Sequence, residues 1–379
     1  MSTLLVFIGA GLPACSRPPT GTPTPTLTTG AQNLGGAPTT APPTVVAPTP
    51  TTAAPTPTEH FVHSTMPNRA GYVWASNATS SYMATGNYWY NSGGGVINIS
   101  RYATGRYVVD FVGLGDVTTD TRGIAHAQAY GTTSNYCNVQ DWDGVSGNME
   151  VAVNCYTAAG AYADTRFVAN WAEGSQDNAM FGYLWANDPS NPATYTPPAR
   201  YRYDAYNPDD LSVTRLSTGR YEVHLPIIAV DEPAAPYAYQ ITAVNSNRRC
   251  KLHSNNLGAA KAVVACRTPA GANADSRFSI SYSAVGSMIG RVDRSSDKLG
   301  NPSAYYTGGI TNSAVGVYTA ELGLNENKGH VVSLATGTTA TYCHIRNWSV
   351  SGTHLNATSV CYTTGGVAAN SGIFFSASK

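Results

Sequence analysis

The chain has 379 residues with 22 basic and 22 acidic side chains, and a formal net charge of zero excludes any general electrostatic pull on nucleic acid or anionic lipid. Charged residues are only 12% of the total, about half the share in an average soluble protein, while Tyr, Thr, Ser, Asn and Gly abound. That length leaves room for two or three domains, and that composition points to an exported, β-rich protein.

The chain opens with "LLVFIGAGLPAC" (residues 4–15), an apolar run too short to cross a bilayer as a mature helix but suited to the core of a secretion signal. Its end, Leu12-Pro13-Ala14-Cys15, resembles a bacterial lipobox, so Cys15 is the expected lipidation site and the mature N-terminus. Pro13 is unusual in that slot, and Met1-Ser2-Thr3 lacks the customary basic residue. Residues 16–59 alternate Pro and Thr, as in "TPTPTLTTG". Such a stretch buries too little apolar surface to offset its ordering entropy, and is expected to stay extended as a tether.

From residue 60 onward the chain repeats itself. Seven cysteines less Cys15 leave three pairs, Cys137/Cys155, Cys250/Cys266 and Cys343/Cys361, at nearly constant spacing. Each pair brackets two alternating segments with a Gly- and Asn-rich turn between, the geometry of a cross-strand disulfide in a hairpin. A metal reading would recruit Cys250 with His253 or Cys343 with His344, but the first copy has Asn138, Val139 and Gln140 there, and two ligands rarely hold zinc. No metal and no cofactor is implied.

Other strings recur in the same order. "GYVWAS" (71–76) returns as "GYLWAN" (182–187). "ATGRYVVDF" (103–111) returns as "STGRYEVHL" (217–225) and "AVGVYTAEL" (314–322), and "ADTRFVANW" (163–171) as "ADSRFSISY" (274–282) and "NSGIFFSAS" (370–378). One unit of about a hundred residues has been triplicated, with repeats expected at 60–175, 176–284 and 285–379. Within a unit Tyr221, Val223 and Leu225 alternate with Arg220, Glu222 and His224, a period of two with one apolar face. About eight short strands per repeat are expected, with no helical period. One-sided alternation suits antiparallel sheets wet on one face, so the expected fold is all-β, three tandem antiparallel β-sandwich-like repeats. The alternative is a six-bladed β-propeller of six four-stranded meanders.

The combination of G-Y-x-W-A, T-G-x-Y-x-V, Y-C, V-x-C and A-D-S-R-F resembles repeat proteins that actinobacteria and other soil bacteria encode as secreted or lipid-anchored products. The resemblance covers residues 71–379 and implies an extracytoplasmic all-β repeat, with no implied activity. The third copy departs from it, with "GSMIGRVDR" in place of G-Y-x-W-A.

No nucleophile elbow, zinc-protease or phosphate-loop motif is present, and the eight histidines do not recur in register between copies. The acidic clusters, Asp141 with Asp143, Asp209 with Asp210, and Asp231 with Glu232, read as solvated turns. Aromatics are the abundant resource. Trp74, Trp89, Tyr90, Trp185, Tyr201 and Tyr203 are the candidate ligand-binding residues, as stacking faces for sugar rings, although Trp74 and Trp185 read first as core. The expected protein is a surface-tethered lipoprotein that binds an envelope or extracellular polysaccharide, or an envelope protein, and touches the membrane through its N-terminal lipid alone. The alternatives are a structural envelope or spore-coat component and, behind it, a glycan hydrolase with carboxylates from different repeats.

Overall fold

Residues 60–379 form one compact unit. The computed structural model describes residues 69–115, 122–174, 181–204, 207–226, 237–256, 259–284, 289–294, 310–322, 330–351 and 354–378. The expected signal, Cys15 and the Pro/Thr tether lie outside the described residues, as do Asp231 and Glu232.

The described residues form 24 strands and two 3-10 turns, Ala199–Tyr201 and Pro208–Asp210. The fold is all-β. The first repeat supplies β1 (Arg69–Ala75), β2 (Tyr82–Met83), β3 (Trp89–Asn91), β4 (Ile97–Ala103), β5 (Arg106–Phe111), β6 (Ile124–Ala129), β7 (Tyr136–Val145), β8 (Asn148–Tyr156) and β9 (Phe167–Glu173). The second supplies β10 (Phe181–Ala186), β11 (Arg202–Asp204), β12 (Ser212–Ser217), β13 (Arg220–His224), β14 (Tyr237–Val244), β15 (Arg249–Asn256), β16 (Lys261–Arg267) and β17 (Arg277–Ala284). The third supplies β18 (Ile289–Arg294), β19 (Ile310–Ala314), β20 (Val317–Leu322), β21 (His330–Thr336), β22 (Tyr342–Ser351), β23 (His354–Tyr362) and β24 (Gly372–Ser378).

Each repeat makes two antiparallel half-sheets. In the first they run β3-β1-β9-β6 and β7-β8-β5-β4-β2, and the other repeats follow the same plan. The halves lie face to face over one core, with Val73, Phe167 and Trp171 from one side meeting Tyr107, Val109 and Val151 from the other. The period-two pattern is the cause: in β5, Tyr107, Val109 and Phe111 are buried while Arg106, Val108 and Asp110 are half-exposed. Each repeat is therefore sandwich-like. A propeller blade is a meander of consecutive strands, whereas here the first strand of each repeat pairs with its last, β1 with β9, β10 with β17 and β18 with β24.

The repeats also fuse edge to edge. A parallel step joins β14 to β7 at Val244 and Val139, another joins β21 to β15 at Thr336 and Leu252, and a bridge joins Tyr130 to Ile345. In each case the nitrogen of the next residue donates to the partner carbonyl: Asn245 to Val139 at 3.0 Å, Gly337 to Leu252 at 3.1 Å, Gly131 to Ile345 at 3.0 Å. The three seams are equivalent and cyclic, second to first, third to second, first to third. The three sandwiches close into a ring with pseudo-threefold symmetry.

The repeated motifs have structural work. Disulfides join Cys137 to Cys155, Cys250 to Cys266 and Cys343 to Cys361 across their hairpins, each with Cα atoms 4.0 Å apart. The Gly of each T-G-x-Y or V-G-V-Y turn (Gly105, Gly219, Gly316) has φ of +65°, +69° and +71°, and a Cβ there would lie within 2.6 Å of the carbonyl oxygen of the second cysteine. No other residue fits that approach. Beside the turn, Asp164 accepts two bonds from Arg101 (2.9 and 2.8 Å), one from the Gly105 nitrogen (2.8 Å) and one from the Tyr107 hydroxyl (3.2 Å). Asp275 is held in the same way by Arg215, Gly219 and Tyr221. In the third repeat Asn370 takes the carboxylate's place, accepting from Gly316 (2.8 Å), Tyr318 (3.4 Å) and Asn312 (3.1 Å). This corrects the sequence alignment of the third copy by one residue. Asn370 is equivalent to Asp164 and not to Ala163, and the strand register follows, with Ile373 in the place of Phe167 and Phe278.

Candidate functional site

The aromatic candidates gather at the seams. At the seam between third and first repeats, Trp74 of β1 meets Tyr88 (5.4 Å between ring centroids), Tyr130 (5.0 Å) and Trp348 of β22 (6.2 Å), and Tyr130 meets Trp348 at 5.2 Å. At the seam between first and second repeats the same positions put Trp185 of β10 against Tyr201 (4.4 Å) and Trp142 of β7 (5.4 Å). Tyr90 stacks on Tyr72 at 5.9 Å, and its counterpart Tyr203 stacks on Tyr183 at 5.8 Å. Trp89 packs half-buried against the first core. The six residues therefore divide into seam cement (Trp74, Trp185, Tyr201) and outer-strand cover (Trp89, Tyr90, Tyr203), all half-buried.

A groove of about 400 Å³ opens beside the first of these clusters. It is lined by the loop after β1 (Ser76, Asn77, Ala78), by Tyr130 with Thr132 and Thr133, and by Asp164, Thr165 and Arg166. Trp74 and Trp348 support the Tyr130 ring from behind. The Arg166 guanidinium carbon lies 5.4 Å from the centre of that ring, and among the described residues the guanidinium has no hydrogen-bond or ion-pair partner. Burial raises the Tyr130 phenol above its ordinary pKa, opposed by the Arg166 charge, so the hydroxyl stays a neutral donor. Asp164 faces the groove but is committed: the hydrogen bond from Arg101 holds its carboxyl below the usual range against a smaller penalty from burial. Asn77 is spent on its own turn, accepting from the Thr79 nitrogen and donating to Ser80. The groups left for a ligand are the Tyr130 ring and hydroxyl, the exposed threonines 132 and 133, and the Arg166 guanidinium.

Sequence reasoning found Trp74 but missed Tyr130, Thr132, Thr133 and Arg166. The positions equivalent to Tyr130 hold Val244 and Thr336, so nothing in the repeat marks it. The acidic clusters do not converge. Asp209 is tied to Arg202 at 2.7 Å and Asp210 lies 3.7 Å from His224. Among the described residues no group of three His, Cys, Asp or Glu side chains is placed to hold a metal ion. His126 and His330 are buried on the inner strands β6 and β21, and His344 is buried on β22. No family model, curated protein or solved structure matches the chain.

Proposed function

We propose that the protein is an extracytoplasmic binding module whose ligand is a polysaccharide, taken up in the groove of the first repeat beside its seam with the third. The observation that carries this reading is the grouping of an aromatic ring, free hydroxyls and an uncommitted guanidinium in one open groove. An aromatic ring offers the apolar face of a sugar a rigid platform, and the surrounding donors and acceptors read its hydroxyls. The guanidinium, with no protein carboxylate to satisfy it, favours glycans that carry carboxylates. Three disulfides fit an oxidising, extracytoplasmic setting. Lipid attachment at Cys15 and a Pro/Thr tether complete the proposal, holding the ring at the cell surface within reach of envelope or matrix polymers.

Co-sedimentation of the full chain with peptidoglycan, chitin, cellulose and a uronate-rich polysaccharide tests the reading. Saturable binding that Arg166→Ala weakens at least several-fold is expected, strongest for the acidic polymer. Unchanged binding in Arg166→Ala and Tyr130→Val sinks the groove as the site. Failure to sediment with any polymer moves the proposal to an envelope protein as partner.

A further inference from the structure

The pseudo-threefold axis contains a second, separate feature. The innermost strands β6, β14 and β21 and the first cysteine segments of all three repeats line a cavity of about 60 Å³. That is several times the 10–15 Å³ or so that one water needs. At one level the three equivalent positions before the cysteines hold Tyr136, Arg249 and Tyr342; at the next, the positions after them hold Asn138, Lys251 and His344.

We propose that this cavity is a binding site for a small inorganic anion, a halide by preference. Two of the six groups are cationic and buried, Arg249 at 8% exposure and Lys251 at 5%. No carboxylate lines the cavity among the described residues. The Arg249 guanidinium lies between two phenol rings, 5.0 Å from the centre of Tyr136 and 4.2 Å from that of Tyr342. Its Nη2 donates to the Pro269 and Ala158 carbonyls, and its buried Nη1 has no partner among the described residues. The Lys251 ammonium reaches only the Thr336 carbonyl at 3.3 Å and the Thr339 hydroxyl at 3.5 Å, both long for a charged donor. Burial, with the Arg267 charge adding to it, lowers the Lys251 pKa to about 7, which is how an ammonium without a counter-ion behaves.

The neighbours show what an uncharged solution looks like. Asn138 satisfies two carbonyls of the adjoining repeat, Ser246 at 2.9 Å and Arg248 at 2.7 Å, and His344 satisfies Gly131 at 3.2 Å. The same reach from one repeat to the next is made three times. Only at Lys251 does it bring a charge, and Arg249 brings a second where the other repeats have tyrosine. Buried charge is tolerated when it is paired, and a small anion between the two cations supplies the pairing that no side chain does.

The test uses the full chain and chloride, bromide and phosphate as probes. At constant ionic strength set with gluconate, raising chloride from about 1 to 300 mM should raise the melting temperature by a few degrees, as mass action requires of a ligand that binds only the folded state. Lys251→Met should abolish most of that rise, and crystals grown in bromide should show an anomalous peak on the axis between residues 249 and 251. A larger rise with phosphate than with chloride would keep the anion site and change its preference to an oxoanion. Identical melting in chloride and gluconate overturns the proposal, and so does a halide effect that survives Lys251→Met. Should that variant fail to fold, the wild-type titration and the bromide peak decide the matter without it.

Discussion

The seam between third and first repeats and the seam between first and second are built from equivalent positions, and the groove of Tyr130 and Arg166 lies beside the former. Both place a β-strand tryptophan, Trp74 or Trp185, against a tryptophan of the neighbouring repeat, Trp348 or Trp142. They differ in two residues that the skeleton does not need. Where the first has Tyr130 the second has Val244, fully buried. Where the first leaves Arg166 free over a ring, the second folds Arg277 back to donate to the Asn187 carbonyl at 3.0 Å. The third seam has Thr336 and Gly372 at these places. What repeats is therefore the scaffold, and what binds is expected where one copy departs from the others.

The largest effects should separate the two seams by packing. Trp142 is buried, at 6% exposure, while Trp348 is only half-buried. Trp142→Ala should cost about 3–5 kcal/mol, the usual loss for truncating a buried aromatic, and Trp348→Ala roughly half of that. Urea midpoints read at unchanged slope test the order. Equal losses would mean that the ring-closing seam is packed as tightly as the other, and that the groove beside it is not a softer region.

The seams also differ in how they titrate. At the equivalent position one uses Asn138, which has no proton to lose, and the other His344, whose pKa burial lowers to about 4 despite its bond to Gly131. An unfolded histidine titrates near 6.5, so between about 6.5 and 4 the unfolded chain binds the extra proton. The stability that His344 permits is thus complete above that window and is lost as pH falls through it. His344→Asn, copying the other seam, should flatten the stability profile there by up to about one proton, measured as the pH slope of the unfolding free energy. A slope that does not change places the histidine in contact with solvent.

Tyr130→Val converts the groove seam into a likeness of its neighbour. About tenfold weaker glycan binding is expected, the equivalent of some 1.4 kcal/mol, with little change in stability because the two tryptophans still pack on each other. Reciprocally, Val244→Tyr should create no binding, since Arg277 remains tied to Asn187. If the reciprocal variant did bind, the ring alone would suffice and Arg166 would lose its assigned part.

Much of the scaffold was legible in the sequence because its constraints are local and repeated three times. The cysteine pairs and the glycine turn each answer to one backbone geometry and recur in all three copies, and the Asp of A-D-S-R-F recurs in two. The third repeat slipped by one residue because Asn312 and Asn370 replace the Arg–Asp pair, which removed the charged landmark that fixes register in the other two. Edge fusion between repeats was not legible. It rests on one parallel step per seam, made by the backbone nitrogens of Gly131, Asn245 and Gly337, and backbone hydrogen bonds do not constrain side-chain identity. For the same reason Trp74 was readable as an aromatic of interest, but its partner Trp348, 274 positions away in the chain, was not.

The smallest expected stability effect is the most informative about function. Arg166 and Arg277 occupy the same position, both exposed, in the recurring A-D-x-R-F string. Arg277→Ala removes a charged donor from the Asn187 carbonyl and should cost about 1 kcal/mol. Arg166→Ala removes only an exposed cation–π contact, for which about 0.5 kcal/mol is the expected loss. Paired thermal melts resolve that difference poorly, whereas urea titrations of the two variants side by side do so directly. A residue that contributes so little to the fold while its twin is held in place is free to meet a ligand, so Arg166→Ala should lose binding while keeping its midpoint. The opposite result, an unstable Arg166→Ala with intact binding, would make both arginines scaffold and leave the groove without its charged reader.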